Sequence, residues 1–353
     1  MRVGFLIQHI NGLGGTERTA CAVMNGLVEH TSVSLIELWS QGSAAYGLDP
    51  RVQTVSLFTR HMPMLSDWGR LVWQCYRQIR ALKLDVLVVV ESTHALYGVV
   101  ACRLAGIRCV VWEHFNCNVD MGKRKRRWGR WIAARWADDI VTLTSRDIAL
   151  WRQKLAPKAR LVCIPNMVPA LPPVQYDPDS RHVVAIGRLT HQKGFDRLLA
   201  AWEKIIEDRR STGWVLQIMG SGPELDQLRG RAESLVHVDF LPARKDVSAV
   251  YARTGILVST SRYEGLPMVM LEAEAAGIPI VAFDCETGPA EIIVSGKTGF
   301  LVTQDDAEGF AHAVLELMGD RDMRMRFSTA AKVRSNLFSP DKIMEKWRCL
   351  LKV

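Results

Sequence analysis

No stretch of the chain comes near the ~18 consecutive apolar residues that a membrane-spanning helix needs, so a helical span is excluded. The opening residues, MRVGFLIQHINGLGG, hold one basic residue and run into glycines rather than a small-residue cleavage site. They read as a first β-strand and its loop, not as a signal peptide. Eight cysteines (positions 21, 75, 102, 109, 117, 163, 285 and 349) form no C-x-x-C pair and no metal-ligand spacing. That argues against a structural zinc and a disulfide framework, and it fits a reduced, cytoplasmic compartment. The dinucleotide fingerprint G-x-G-x-x-G is missing, and no D-x-D pair closes a strand, so no required metal is expected. There is no short-period repeat, no low-complexity tract and no recognised nucleic-acid-binding motif.

What is present describes a folded protein. Of 353 residues, 48% are hydrophobic and 23% charged, which suits two ordinary domains and rules out wholesale disorder. The formal net charge is +8, but segment 122–136 alone carries seven positive charges and no negative one, leaving +1 for the rest. The basicity is a local device and implies a local anionic partner.

Apolar, strand-like runs at 2–8, 33–38, 85–91, 108–113, 139–144 and 160–164 alternate with longer helix-like segments. This is the pattern of a parallel, doubly wound sheet whose strands are buried on both faces. Residues 169–180, PALPPVQYDPDS, hold four prolines and read as an extended linker. The same pattern then restarts at 182–187, 214–220, 237–241, 255–259 and 278–283. The expected organisation is a Rossmann-like first domain over 1–168, the linker at 169–180, a second Rossmann-like domain over 181–336, and a terminal stretch 337–353. Its helix shows Ile343, Trp347 and Leu350 on one apolar face and is expected to pack back on the first domain. Two facing domains of this kind create a cleft, and ligands sit beyond the carboxyl ends of the strands.

The residues that follow each strand carry the chemistry. After the run at 255–259 come Arg262-Tyr263-Glu264-Gly265-Leu266, and Pro267 opens a helix. Free N–H groups and the helix dipole make its start an anion site. Glu272 lies on that otherwise small and apolar helix, where a carboxylate costs several kcal/mol unless hydroxyls or a cation meet it. Taken alone, Glu264 could cap the helix and Glu272 could pair with a nearby base. Arg188 and Lys193, in the loop GRLTHQKG, can converge on one anion. Gly220 and Gly222, after the next strand, permit close backbone approach.

In order along the chain, GRLTHQKGFD, MGSGPE, EGLPMVMLEAEAAGIPIVAF, GPAEII and GKTGFLV resemble the family 4 glycosyltransferases. The likeness covers nearly all of 182–302 and includes the family's E-x7-E element as Glu264 and Glu272. The run CETGPAEII looks like the variant common among UDP-sugar enzymes of surface-polysaccharide assembly. The resemblance implies an α/β GT-B fold and retaining, metal-independent transfer from a nucleotide sugar, with no other cofactor. It implies that Arg188 and Lys193 bind the diphosphate. Glu272 would take the ribose hydroxyls and Glu264 the transferred sugar, with the backbone at Gly265 and Leu266 meeting phosphate or sugar. The nucleobase would lie near Gly220–Gly222 and 241–244. Growing negative charge on the leaving diphosphate is what fixed cations and N–H groups stabilise.

In the first half, Gly12, Gly14 and Gly15 with Glu17 resemble the family's GG-x-E loop bordering the phosphates and acceptor. His114, in WEHFN, matches a histidine that reaches the donor sugar; in the family's reaction the leaving phosphate takes the acceptor proton. On a helix over 122–136, Trp128, Trp131, Ile132 and Trp136 share one face, with Lys123, Arg126, Arg127 and Arg130 bordering or opposing it. Tryptophan with Lys and Arg suits an interfacial helix on an anionic leaflet. The similar segment 68–83, with Trp73 and Tyr76, reads instead as core packing with a solvated basic face. Together these features point to a hexosyl- or N-acetylhexosaminyltransferase, peripheral on the inner face of the cytoplasmic membrane. Its acceptor would be a lipid-linked saccharide, and no nucleic acid is expected as a partner. A sugar-nucleotide epimerase of similar fold and a non-enzymatic basic binding protein remain the alternatives.

Overall fold

The computed structural model describes residues 1–12, 14–39, 42–59, 67–169, 172, 174–244 and 246–353. The chain forms two compact units, Met1–Asn166 with Pro340–Val353, and Met167–Ser339.

The first unit runs β1 (Arg2–Ile7), α1 (Gly15–Leu27), β2 (Ser32–Trp39), β3 (Gln53–Phe58), α2 (Trp68–Ala81), β4 (Val86–Val90), α3 (Ala95–Ala105), β5 (Arg108–Trp112), α4 (Arg124–Trp136), β6 (Asp139–Thr142), α5 (Ser145–Leu155) and β7 (Arg160–Cys163). Its seven strands are all parallel, in the order β3-β2-β1-β4-β5-β6-β7. Parallel pairing forces a crossover after each strand, so both faces are covered and the central strands are apolar throughout, as VLVVV of β4 shows. Leu6, Leu87, Val89 and Val111 join Leu71, Cys75, Ile79, Tyr97 and Ala133 of the helices in one core.

The second unit runs β8 (His182–Ile186), α6 (Phe195–Ile206), β9 (Val215–Met219), α7 (Leu225–Ala232), β10 (Val238–Leu241), α8 (Ser248–Tyr251), β11 (Ile256–Ser259), α9 (Met268–Ala276), β12 (Ile280–Asp284), α10 (Pro289–Ile292), β13 (Gly299–Thr303), α11 (Ala307–Gly319) and α12 (Arg321–Ser335). Its six parallel strands stand in the order β10-β9-β8-β11-β12-β13. A final helix, α13 (Pro340–Leu351), returns to the first unit, where buried Trp347 meets Trp112 of β5 edge-on at 4.6 Å.

Two doubly wound, Rossmann-like units are therefore what the alternating pattern foretold. Two edge strands escape that pattern. β3 is half exposed and reads QTVSLF, and β13 follows a Gly-Lys-Thr turn. Both lie at a sheet edge and are only partly buried, so neither needs a long continuous apolar run. The proline-rich segment has no regular structure in its described part, yet it is anchored to the second unit. Tyr176 is buried and donates its hydroxyl to the Gly255 carbonyl at 2.9 Å, and Arg324 donates to the Pro178 carbonyl at 2.7 Å. Residues 170, 171 and 173 of that segment lie outside the described residues.

Candidate active site

Strand order in the second sheet reverses between β8 and β11. Such a switch point leaves an opening beyond the strand ends, because the two following crossovers depart in opposite directions. The loops that meet there are 187–194 and 260–267. Hydrogen bonds stitch them together: Thr260 Oγ1 donates to the Gly194 carbonyl at 2.7 Å, the Arg262 amide to Gln192 at 2.8 Å, and Gln192 Nε2 to the Tyr263 carbonyl at 3.1 Å. The Arg262 guanidinium forks onto both carboxylate oxygens of Asp196, at 2.8 and 2.6 Å.

On this frame Lys193 Nζ donates to Glu264 Oε1 at 2.6 Å, and Ser261 Oγ donates to the same oxygen at 2.7 Å. Thr287 Oγ1 holds the Glu264 carbonyl at 2.6 Å. Two residues seventy-one positions apart thus form one charged pair, with Glu264 buried and Lys193 half-buried. Arg188 is exposed and makes no ion pair among the described residues. Gly265 is partly exposed, Leu266 is buried, and Pro267 occupies the capping position of α9. Glu272 is buried in that helix, and its Oε2 accepts the Tyr251 hydroxyl at 2.7 Å. The acid that lies beside a base is a different one. Arg334 Nε stands 3.6 Å from Glu274, whose oxygens have no hydrogen-bond partner and whose carboxyl burial pushes up to about 8.

At Gly220 and Gly222 the missing side chains let two loop backbones approach closely. A Cβ on Gly220 would sit 1.9 Å from the Gly187 carbonyl oxygen, and one on Gly222 would sit 2.3 Å from that of Leu189. The two loops press backbone on backbone, with the Leu189 amide donating to Ser221 at 2.9 Å.

In the first unit, Gly14 and Gly15 are exposed at the start of α1, and the Glu17 carboxylate lies against Gly12 and Gly14. His114 follows β5, buried, 4.5 Å from the Trp112 ring, with no partner on Nε2. Burial holds its imidazole down at about 4, so it is neutral at pH 7. Its neighbour Glu113 is fully buried and fully satisfied. Oε1 accepts the His114 and Phe115 amides at 3.1 Å each, and Oε2 accepts Arg130 Nε at 2.9 Å. Arg126 approaches at 3.5 Å, and these cations hold the carboxyl below the usual range despite burial.

Comparison with known proteins decides what this arrangement belongs to. The family model for Glycosyltransferase Family 4 matches residues 13–170, and that for Glycosyl transferases group 1 matches residues 173–334. An uncharacterized glycosyltransferase of Haemophilus influenzae is 29% identical over 99% of both chains. The alpha-1,4-N-acetyl-D-galactosaminyltransferase of Campylobacter jejuni that is named for a PP-undecaprenol-linked GalNAc saccharide is 24% identical, over 99% of this chain and 98% of its own. Among solved structures, HepE of Anabaena in complex with UDP superposes with a TM-score of 0.80, at 17% identity and 100% coverage of each chain. The chain belongs to the family 4 glycosyltransferases. Its fold is GT-B, the α/β class that the sequence resemblance implied.

Several residues of this transferase had no signal in its sequence. Tyr251, Ser261 and Thr287 are common residue types whose role appears only once β11, α8 and the loop after β12 come together. The basic segment also departs from expectation. Arg126 and Arg130 do not lie on a solvated face. They are buried against Glu113, and Arg130 also donates to the Cys117 and Val119 carbonyls at 2.8 and 2.9 Å. Gly129, which a propensity argument marks as a weakness, is where α4 crosses the turn after β4. A Cβ there would lie 1.9 Å from the Ser92 carbonyl oxygen. Outward stand Trp128, Trp131 and Trp136, 57%, 48% and 45% exposed, while Ile132 packs inward. In α2, Tyr76 packs against the core as expected, but Trp73, stacked on it, is 60% exposed, so the reading of 68–83 as core aromatics is corrected at Trp73.

Proposed function

We propose that this transferase moves a hexose or N-acetylhexosamine, with retention, from a UDP-sugar to a lipid-linked saccharide in surface-glycan assembly. The observation that carries the donor side is the Lys193–Glu264 pair at the second unit's switch point, with Glu272 behind it on α9. Lys193 and Arg188 offer charge to a diphosphate, and the first-turn N–H groups of α9 add to it. Glu264 keeps lone pairs for sugar hydroxyls. Glu272, oriented by Tyr251, offers carboxylate oxygen to ribose hydroxyls. In the retaining step the bond from the sugar's anomeric carbon to the diphosphate breaks and a bond to the acceptor oxygen forms on the same face. The acceptor's proton passes to the departing phosphate oxygen, and UDP leaves. Lys193 and Arg188 stabilise the charge that grows on that phosphate. Neutral His114 offers a hydrogen bond without charge.

The lipid-linked acceptor is supported by two observations. One relative over nearly its whole length is named for a PP-undecaprenol saccharide. The outer faces of α2 and α4 carry exposed Trp73, Trp128, Trp131 and Trp136 among exposed Arg70, Arg77, Arg80, Lys123, Arg124 and Arg127. Exposed tryptophans among cations fit the interface of an anionic bilayer, where each basic residue contributes about 1 kcal/mol.

A thermal-shift panel of UDP, GDP, ADP, NAD and a short DNA duplex tests the donor. A ligand at 100 times its Kd adds ~2.7 kcal/mol to stability, enough to raise the melting temperature by a few degrees. A shift with UDP alone supports the proposal. A shift with GDP alone changes the donor, and a shift only with NAD or DNA overturns the transferase reading.

A further inference from the structure

The first sheet has a switch point of its own, between β1 and β4, and the first residue beyond β4 is Glu91. Its backbone stands at φ 67°, ψ 136°, a region that glycine enters freely and that strains a residue with a Cβ. Both of its main-chain groups are committed: its amide donates to the Trp112 carbonyl at 2.8 Å, and its carbonyl accepts the His94 amide at 3.1 Å. The strain is therefore held by β5 and by the turn Ser92–His94. One carboxylate oxygen accepts Arg126 at 3.2 Å. The other has no partner among the described residues, and the side chain is 23% exposed although Arg126 and Glu113 around it are buried. Burial and the neighbouring Glu113 and Glu17 hold this carboxyl above its usual range, with Arg126 opposing them. An under-solvated carboxylate with one open oxygen gains from a hydroxyl donor.

A purely structural role does not account for this. Arg126 keeps Glu113 at 3.5 Å and lies over the Phe115 ring at 4.4 Å, so it has partners without Glu91. A residue that served only to balance Arg126 would not need a backbone that glycine would relax. We propose that Glu91 binds a hydroxyl of the saccharide acceptor, its open oxygen accepting that hydrogen bond while Arg126 fixes the other. This rests on the transferase reading above and assigns the acceptor's contact in the first unit.

The test uses the full chain as wild type, Glu91→Gln and Glu91→Gly. Radiolabelled UDP-hexoses and UDP-N-acetylhexosamines serve as donors, and lipid-linked oligosaccharides extracted from bacterial membranes serve as acceptor probe. Glu91→Gln keeps an oxygen for Arg126. It is expected to lower kcat/KM for the acceptor 10- to 100-fold, mainly through KM, with donor KM and UDP-induced melting shift within twofold of wild type. Glu91→Gly is expected to show the same kinetic loss at a melting temperature no lower than wild type. Acceptor kcat/KM within twofold of wild type in either variant overturns the proposal. So does a joint loss of melting temperature and donor affinity, which is what a structural role would give. A wild-type protein that neither shifts with UDP nor transfers sugar overturns the transferase reading itself, and Glu91's role with it.

Discussion

At the scale of single residues, the site is a set of carboxylates with different partners, and the partners predict different phenotypes. Glu264→Ala removes the group that ties down Lys193, freeing that cation for the phosphate contact proposed above. Turnover is expected to fall at least 100-fold while UDP affinity, read by calorimetry, is kept or improved. Glu272→Ala is expected to weaken UDP binding directly, about 10-fold or more, for the loss of a charged hydrogen bond of ~1.5–3 kcal/mol. Tyr251→Phe, which removes the hydroxyl that Glu272 accepts but keeps the carboxylate, should weaken UDP less than Glu272→Ala does. Wild-type activity in both glutamate variants would remove the site assignment. Glu274 offers a test by pH. Its carboxyl stays protonated in the fold up to about 8, whereas in the unfolded chain it ionises near 4.5. The unfolded state therefore binds fewer protons across that interval, and stability falls as pH rises through it, by ~1.4 kcal/mol per pH unit. Glu274→Gln is expected to gain stability over wild type at pH 8 and little at pH 5, measured by urea unfolding. A constant difference across pH would show that the buried carboxyl is not the cause.

At the scale of elements, α4 joins two jobs. Its inner side is bolted to the loop that bears His114 through Glu113, Arg126 and Arg130, and its outer side presents tryptophans. Breaking a buried ion pair by removing one partner leaves an uncompensated charge and costs ~3–5 kcal/mol. Glu113→Ala is expected to lose that much stability, and with it the fixed position of His114. Gly129→Ala is expected to destabilise as well, although alanine favours a helix by ~1 kcal/mol over glycine, because the added Cβ would collide with the Ser92 carbonyl. A more stable Gly129→Ala protein would show that α4 does not press on that turn. The glycines of the second unit follow the same logic, since Gly220 and Gly222 let two loop backbones touch.

At the scale of the whole molecule, no helix of the described residues is long and apolar enough to cross a membrane, and the bilayer contact proposed above rests on the exposed tryptophans of α4. Replacing Trp128, Trp131 and Trp136 together by Ala is expected to abolish co-sedimentation with vesicles containing anionic phospholipid. The melting temperature should change by only a few degrees, because these side chains are already half-exposed. Binding by wild type is expected to weaken between 0.05 and 0.5 M salt, about as the screening length shortens. Binding that ignored both salt and the three tryptophans would remove the membrane proposal.

The sequence by itself determined the family and the architecture. Buried parallel strands must be apolar from end to end, and the family's motifs hold their cations, glycines and carboxylates at set spacings. Both facts are local and can be read along one dimension. Hence the two doubly wound sheets, the loop from Gly187 to Gly194 and the E-x7-E element were legible, while edge strands β3 and β13, only partly buried, were not. The tertiary structure alone decided which charge meets which. Lys193 finds Glu264, Arg126 and Arg130 leave the basic stripe for buried Glu113, and Glu91 takes a strained backbone at a switch point. Those pairings join residues far apart in the chain, where neither spacing nor composition carries a record of the contact.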